Sequence, residues 1–301
     1  MRGSETMSYQ IKAALWMSGA IASFIAMSIA GRAVQAELNT FELMFWRSLV
    51  GLVLICALVL AHRRPLRLRP TRPRLHALRH IAHFAGQNLW FFALMLIPLA
   101  QLVALEFTMP IWVALLAPLL LGEAFTRIRV LVAVLGFAGV LIVAQPGVQT
   151  LSIGHLAALG AAVGFALNII LTKRIMREDS VICVLFWMSL SQGLMALVLA
   201  LFGGFTWPSP ALWGWIVLVG ITGLSAHFAL SSALALAPAT TVAPMEFFRL
   251  PLIALVGLWL YSEALDPLVF LGAGVIFAAN WINLRNTDAV LPRQTLTGGR
   301  D

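Results

Sequence analysis

The chain has 301 residues, of which 61% are hydrophobic and 11% charged, with a formal net charge of +8. Ordinary soluble domains carry roughly 25% charged residues, so the composition excludes a water-soluble globule and reads as an integral membrane protein. Long uninterrupted apolar runs point to helices, because barrel strands would alternate in polarity at every second residue.

A helical crossing takes about 20 apolar residues. In chain order ten segments meet that length: 11–31, 41–61, 77–97, 99–121, 128–145, 152–172, 181–203, 211–236, 239–261 and 267–284. If the N-terminus is cytoplasmic, the inner segments collect Arg2, Lys12, Arg63, Arg64, Arg67, Arg69, Arg72, Arg74 and Arg79. They also collect Arg127, Arg129, Lys173, Arg174, Arg177, Arg285, Arg293 and Arg300, which makes 17 of the 20 basic residues. Arg32 falls in an outer loop, while Arg47 and Arg249 lie within segments. This asymmetry places both termini on the cytoplasmic side of the membrane. The arginine-rich loop after the second segment anchors that topology and meets anionic lipid. It lacks the interleaved aromatic residues that stack on bases, so nucleic acid is not an expected partner. Ala33-Val34-Gln35-Ala36 resembles a signal-peptidase site, but the first segment has a partner later in the chain, which argues against cleavage. Cys56 and Cys183 sit in apolar runs without metal or disulfide spacing and read as core residues.

The chain contains a copy of itself. Ala93 to Phe107 and Ala233 to Phe247 align at an offset of 140, pairing Glu106 with Glu246; Glu123 then pairs with Glu263. At an offset of 141, Leu15, Gly19, Ala20, Phe24 and Ile29 recur as Leu156, Gly160, Ala161, Phe165 and Ile170. Residues 9–146 and 152–286 are therefore two five-helix units, joined by a turn-rich link, with 287–301 as a cytoplasmic tail. Because five is odd, the second unit enters the membrane upside down. That predicts a pseudo-two-fold axis in the membrane plane and a working site between the halves near mid-depth. Gly136 and Gly139, Gly160 and Gly164, and Gly272 and Gly274 mark close helix contacts.

Phe45-Trp46-Arg47, the P-x7-E-F runs at 98–107 and 238–247, and Leu120-Leu121-Gly122-Glu123 followed by Gly136 and Gly139 resemble the drug/metabolite transporter superfamily. The likeness is to its ten-helix branch with two EamA-type repeats. It implies an all-α membrane fold in which segments one to four and six to nine surround a central cavity. Segments five and ten then lie behind it, and some members form homodimers through them. The second half departs from the pattern with Met188 opposite Arg47 and Ser262 before Glu263.

Arg47 and Glu106 fall at one depth, so two opposite charges in hydrocarbon are expected to pair, either as a substrate clamp or as a helix lock. In the second half Arg249 follows Glu246 at i+3 and is placed to neutralise it. Glu123 and Glu263 stand at segment junctions and are expected to cap the helix that follows. His76, His80 and His83 share a helical face, but no cysteine or acid accompanies them in sequence, so no metal is expected. His83 is followed one turn on by Gln87 and Asn88, and His227 aligns with Gln87 at the 140 offset. Trp16, Ser23, Trp90, Trp112, Asn168 and Asn280 complete the cavity candidates, and Pro110 and Pro251 are expected to kink their helices. No catalytic constellation or nucleotide motif is visible, so neither an enzyme nor a resident cofactor is expected. The expectation is a secondary transporter with a small-molecule substrate, exporting amino acids or related metabolites. The alternatives are an uptake carrier for a vitamin or nucleoside-like metabolite and, in a different class, a lipid-flipping subunit or intramembrane enzyme.

Overall fold

The computed structural model describes residues 2–61, 68–121, 126–145, 152–236 and 245–290, and among them every regular element is helical. The first half contains α1 (Arg2–Val34), α2 (Thr40–Ala61), α3 (Pro73–Leu94), α4 (Leu99–Glu106), α5 (Met109–Leu121) and α6 (Arg127–Ala144). The second contains α7 (Ile153–Ile175), α8 (Val181–Phe202), α9 (Trp213–Leu236), α10 (Arg249–Tyr261) and α11 (Pro267–Val290). Glu123, Pro238, the link 146–151, Arg63, Arg64, Arg67 and residues 291–301 lie outside the described residues.

Seven helical stretches are long and apolar enough to cross a membrane, and Arg249–Tyr261 and Pro267–Asn283 are apolar but shorter. The chain is a multi-pass membrane protein. Helix α3 falls outside both groups because it carries His76, Arg79, His80, His83 and Gln87, all buried inside the protein. Its polar face turns inward, where side-chain partners replace water.

The principal helix pairs all join one half to the other. α1 lies along α9, α2 along α8, α3 along α7, α6 along α11, and α4 against α10. Neither half therefore buries its inner face alone. The glycines of the fifth and tenth segments serve this packing within one chain. A Cβ on Gly139 would lie 2.8 Å from the Gly272 carbonyl oxygen, and one on Gly272 would lie 2.7 Å from that of Gly139. Gly274 faces open space. The Phe45 and Trp46 of the F-W-R run join an aromatic cluster with Phe205, Trp207 and Trp213.

The expected fourth segment is two helices. Pro110 has no N–H to donate to Glu106, and its ring crowds that carbonyl, so the ladder breaks at Phe107–Thr108. Thr108 N donates to Leu105 O in a tighter turn, and the buried Asn280 of α11 donates to the freed Phe107 carbonyl at 2.8 Å. Asn280 thus caps a helix break and is absent from the cavity lining. The second half has the corresponding turn at Phe247–Phe248, three residues before Pro251. The E-F motif meets its own copy here, with the Phe107 and Phe247 rings 4.3 Å apart.

Two polar knots tie the ends of the bundle. In one, Arg32 pairs with Glu263, donates to the Leu94 and Ile97 carbonyls and lies over the Tyr261 ring. Glu263 Oε2 accepts from Leu99 N at 2.8 Å. Glu263 therefore caps α4 of the other half rather than the helix that follows it; Asp266 fills that role for α11, accepting from Leu268 N. In the second knot Asp179 accepts from Thr71 Oγ1 and from the Thr71 backbone and bonds His76 Nε2 at 2.8 Å.

Valine at position 139 is expected to lower the thermal midpoint in detergent, since overpacking against backbone costs about 1–3 kcal/mol. Gly274→Ala should keep or slightly raise the midpoint, because its Cβ meets nothing and alanine favours helix over glycine. A second expectation concerns acid. Burial alone would push the Asp179 carboxyl up, but bonds from Thr71 and His76 outweigh it and hold the group below its ordinary value. A depressed folded pKa stabilises above the unfolded value, about 3.9, and that gain is lost as pH falls through the folded value. The thermal advantage of wild type over Asp179→Asn should therefore be steady down to about pH 5 and shrink below it.

Candidate functional site

Near the middle of the bundle lies a cavity of about 140 Å³, walled by residues of both halves. His83, Gln87, Glu106, Asn168, His227, Glu246 and Arg249 supply its polar lining, and Phe24, Trp90, Phe91 and Phe165 its rings. The two helix breaks build one end of it. Glu106 closes α4 and Arg249 opens α10, and their side chains form an ion pair at 2.9 Å. Each charge has the same sign as the partial charge of its own helix end, so each depends on the other for compensation. Trp90 Nε1 donates to the second Glu106 oxygen at 2.9 Å. Arg249 is 2% exposed, with its guanidinium carbon 4.8 Å from the Phe24 ring centre and 5.2 Å from that of Phe107. Glu246 stands at 4.0 Å from the same guanidinium.

This corrects the expected pairing of Glu106 with Arg47. The arginine of the second half reaches the acid of the first, because the two breaks face one another and α2 is turned toward α8 and α9. Arg47 instead has Gln87 as its partner, whose carbonyl oxygen accepts from Nη1 at 2.9 Å and Nη2 at 3.0 Å. Gly223 of α9 makes the room: a Cβ there would fall 2.6 Å from Arg47 Nη2.

From Arg47 the hydrogen bonds run in one direction. A guanidinium only donates, so Gln87 must present its oxygen to Arg47 and its amide nitrogen to Gln192 Oε1, at 2.9 Å. Gln192 must then turn its own nitrogen to His83 Nδ1, at 3.0 Å. That nitrogen accepts, so His83 is neutral with its proton on Nε2. The His83 and His227 ring centres are 5.7 Å apart. One turn away on α3, His80 Nδ1 meets Ser191 Oγ at 3.0 Å.

Besides Asn280, four expected cavity residues fall elsewhere. Trp16 stacks edge-on against Phe228 and is 40% exposed, on the outside of α1. Ser23 accepts from Ser225 Oγ across the α1–α9 seam. Trp112 donates to Thr108 Oγ1 and packs on Phe137, because the break turns α5 toward α6. Arg47 lies behind Gln87 rather than in the wall. Gln192 was not foreseen, since a single polar residue in an apolar run carries no signal of its partner. Nor was the company His76 keeps. Ligand atoms of His76, Asp179 and Cys183 lie within 4.8 Å of one another, brought together by the turn between α7 and α8.

A family model described as the EamA-like transporter family matches residues 11–145 and again 152–285. An S-adenosylmethionine uptake transporter of Rickettsia felis is 26% identical over 264 residues, covering 88% of this chain and 89% of its own. A riboflavin transporter of Brucella anthropi is 26% identical, covering 89% of this chain and 97% of its own. Another, from Rhizobium johnstonii, is 27% identical and covers 91% of each chain. A solved crystal structure shares the fold with a TM-score of 0.63 at 20% identity, over 93% of this chain and 99% of that one. Two matched repeats span nearly all of the sequence, and the chain belongs to the EamA-like transporter family.

Proposed function

We propose that the protein is a secondary carrier that takes up a metabolite bearing a flat heteroaromatic ring, of the nucleoside or flavin kind, across a bacterial inner membrane. The observation that carries this reading is the cavity between the two repeats, where aromatic walls surround an acid–arginine cluster. The relatives named for S-adenosylmethionine and riboflavin support it, since both compounds present a fused ring. They also turn the reading away from amino-acid export and toward the uptake alternative. In this proposal Trp90, Phe91 and Phe165 hold the ring. Asn168 Oδ1, which has no hydrogen-bond partner among the described residues, receives a ring N–H or amine. Gln87, His83 and His227 complete the polar lining, with Arg47 fixing the first two. No covalent step on the substrate is required.

The halves work as inverted copies in ten crossings, with both termini cytoplasmic. The exchange of packing partners supports this: α1 lies on α9 as α7 lies on α3, and these are corresponding segments of the two repeats. A cavity of about 140 Å³ is smaller than the roughly 300–1,000 Å³ of ordinary ligand pockets. Loading therefore requires the halves to part, and the two helix breaks are the natural hinges. A larger groove of about 730 Å³ runs between α1 and α10, with Ser18 the one polar residue on its walls, and suits lipid tails rather than a polar solute.

In proteoliposomes with and without a pH gradient, counterflow of adenosyl compounds or riboflavin is expected. Glu106→Gln, still monodisperse in detergent, should lose at least about tenfold in rate, the scale of one charge-assisted contact. Uptake at the wild-type rate would reject the assigned role. Arg249→Gln alone should destabilise more than the Glu106→Gln/Arg249→Gln pair, because a buried charge stripped of its partner costs about 3–5 kcal/mol. Thermal melts of the two variants decide this.

A further inference from the structure

The acids of the cavity are unequally satisfied. Glu106 has both oxygens engaged, one by Arg249 and one by Trp90. Glu246, 23% exposed at its side chain, meets the same guanidinium at 4.0 Å, and among the described residues no hydrogen bond reaches its carboxylate. One guanidinium thus serves two carboxylates, so with both acids ionised this end of the cavity holds one negative charge in excess. The other nearby cations do not supply the balance. Arg47 sits behind Gln87 with both Nη atoms engaged, and it lines no part of the cavity. Arg79, one turn before His83 on the same face of α3, donates to Thr172 and lines no part of the cavity. His83 is held neutral by the bond from Gln192, and His227 shares its wall.

We propose that Glu246 selects a positively charged group on the substrate, so that the ring-bearing metabolite is an organic cation such as a sulfonium or ammonium. This rests on the transport reading above and decides between the two kinds of solute it admits. A cation entering beside Glu246 restores local neutrality where water is scarce, which a neutral solute cannot do. The rings of Phe24 and Trp90 border the same space, and aromatic faces attract a desolvated cation. Glu246 was named from sequence only as the twin of Glu106. The structure separates them, making Glu106 the paired member and Glu246 the available one.

The test uses the full chain in proteoliposomes and three probes: S-adenosylmethionine, S-adenosylhomocysteine and riboflavin. The two adenosyl compounds differ by one methyl group and the positive charge it places on sulfur. Wild type should take up the sulfonium at least about tenfold faster than the thioether, the scale of one charge-assisted contact. Glu246→Gln should bring that ratio toward one, and Glu246→Asp should keep a preference for the sulfonium. Equal uptake of the adenosyl pair by wild type overturns the proposal without needing any variant to fold. So does an unchanged ratio in Glu246→Gln. Carriage of riboflavin alone also overturns it and leaves the transport reading standing. Failure of wild type to carry any of the three overturns both.

Discussion

The site is organised around one ion pair, Arg249 with Glu106, made across the two halves where little water can reach either charge. Each residue sits at a helix break, and each carries the same sign of charge as its own helix end. Neither placement is tolerable alone. The pair therefore fixes how the two broken helices face one another. The Phe107 and Phe247 rings stack immediately beside it. Much else follows from that constraint: Asn280 closing the freed carbonyl, Trp90 turned to the carboxylate, and Phe24 laid against the guanidinium.

A second arrangement answers the same problem without a countercharge. Arg47 is buried at 6% exposure and meets no carboxylate among the described residues. Its charge is met by dipoles, in a chain through Gln87 and Gln192 to His83. Because a guanidinium cannot accept, the direction of every bond in that chain is set at its head. The histidine on the cavity wall consequently has one tautomer in this state. Helix α3 carries two of these four groups and also buries His76, Arg79 and His80, which is why it is too polar for a lipid-facing helix and yet belongs at the centre of the bundle.

Legibility followed the range of the interaction. The duplication made Glu106 and Glu246 conspicuous, and the helix-breaking prolines 110 and 251 were visible because their effect is local. The ring positions Phe24, Phe91 and Phe165 were not, since an aromatic residue in an apolar run looks the same whether it faces lipid or a cavity. Trp112 shows the converse. A mid-segment tryptophan after a proline suggested the cavity, and the break it follows turned it toward Phe137 instead. Glu263 was expected to act on its own helix and acts on α4, more than a hundred residues earlier in the chain.

The sequence by itself determined the class of the molecule, its duplicated plan and the identity of most polar groups in the cavity. Those depend on composition, on spacing and on the high cost of charge in hydrocarbon, all of which are properties of the chain before it folds. Only the tertiary structure decided the pairings. Arg47 was the expected partner of Glu106, and Arg249 that of Glu246, because helix rotation was unknown. Packing across the halves, through Gly139 with Gly272 and through the space Gly223 leaves for Arg47, set those rotations. A salt bridge reaches only a few ångströms, so the rotation of a helix, rather than the presence of a charge, chooses its partner.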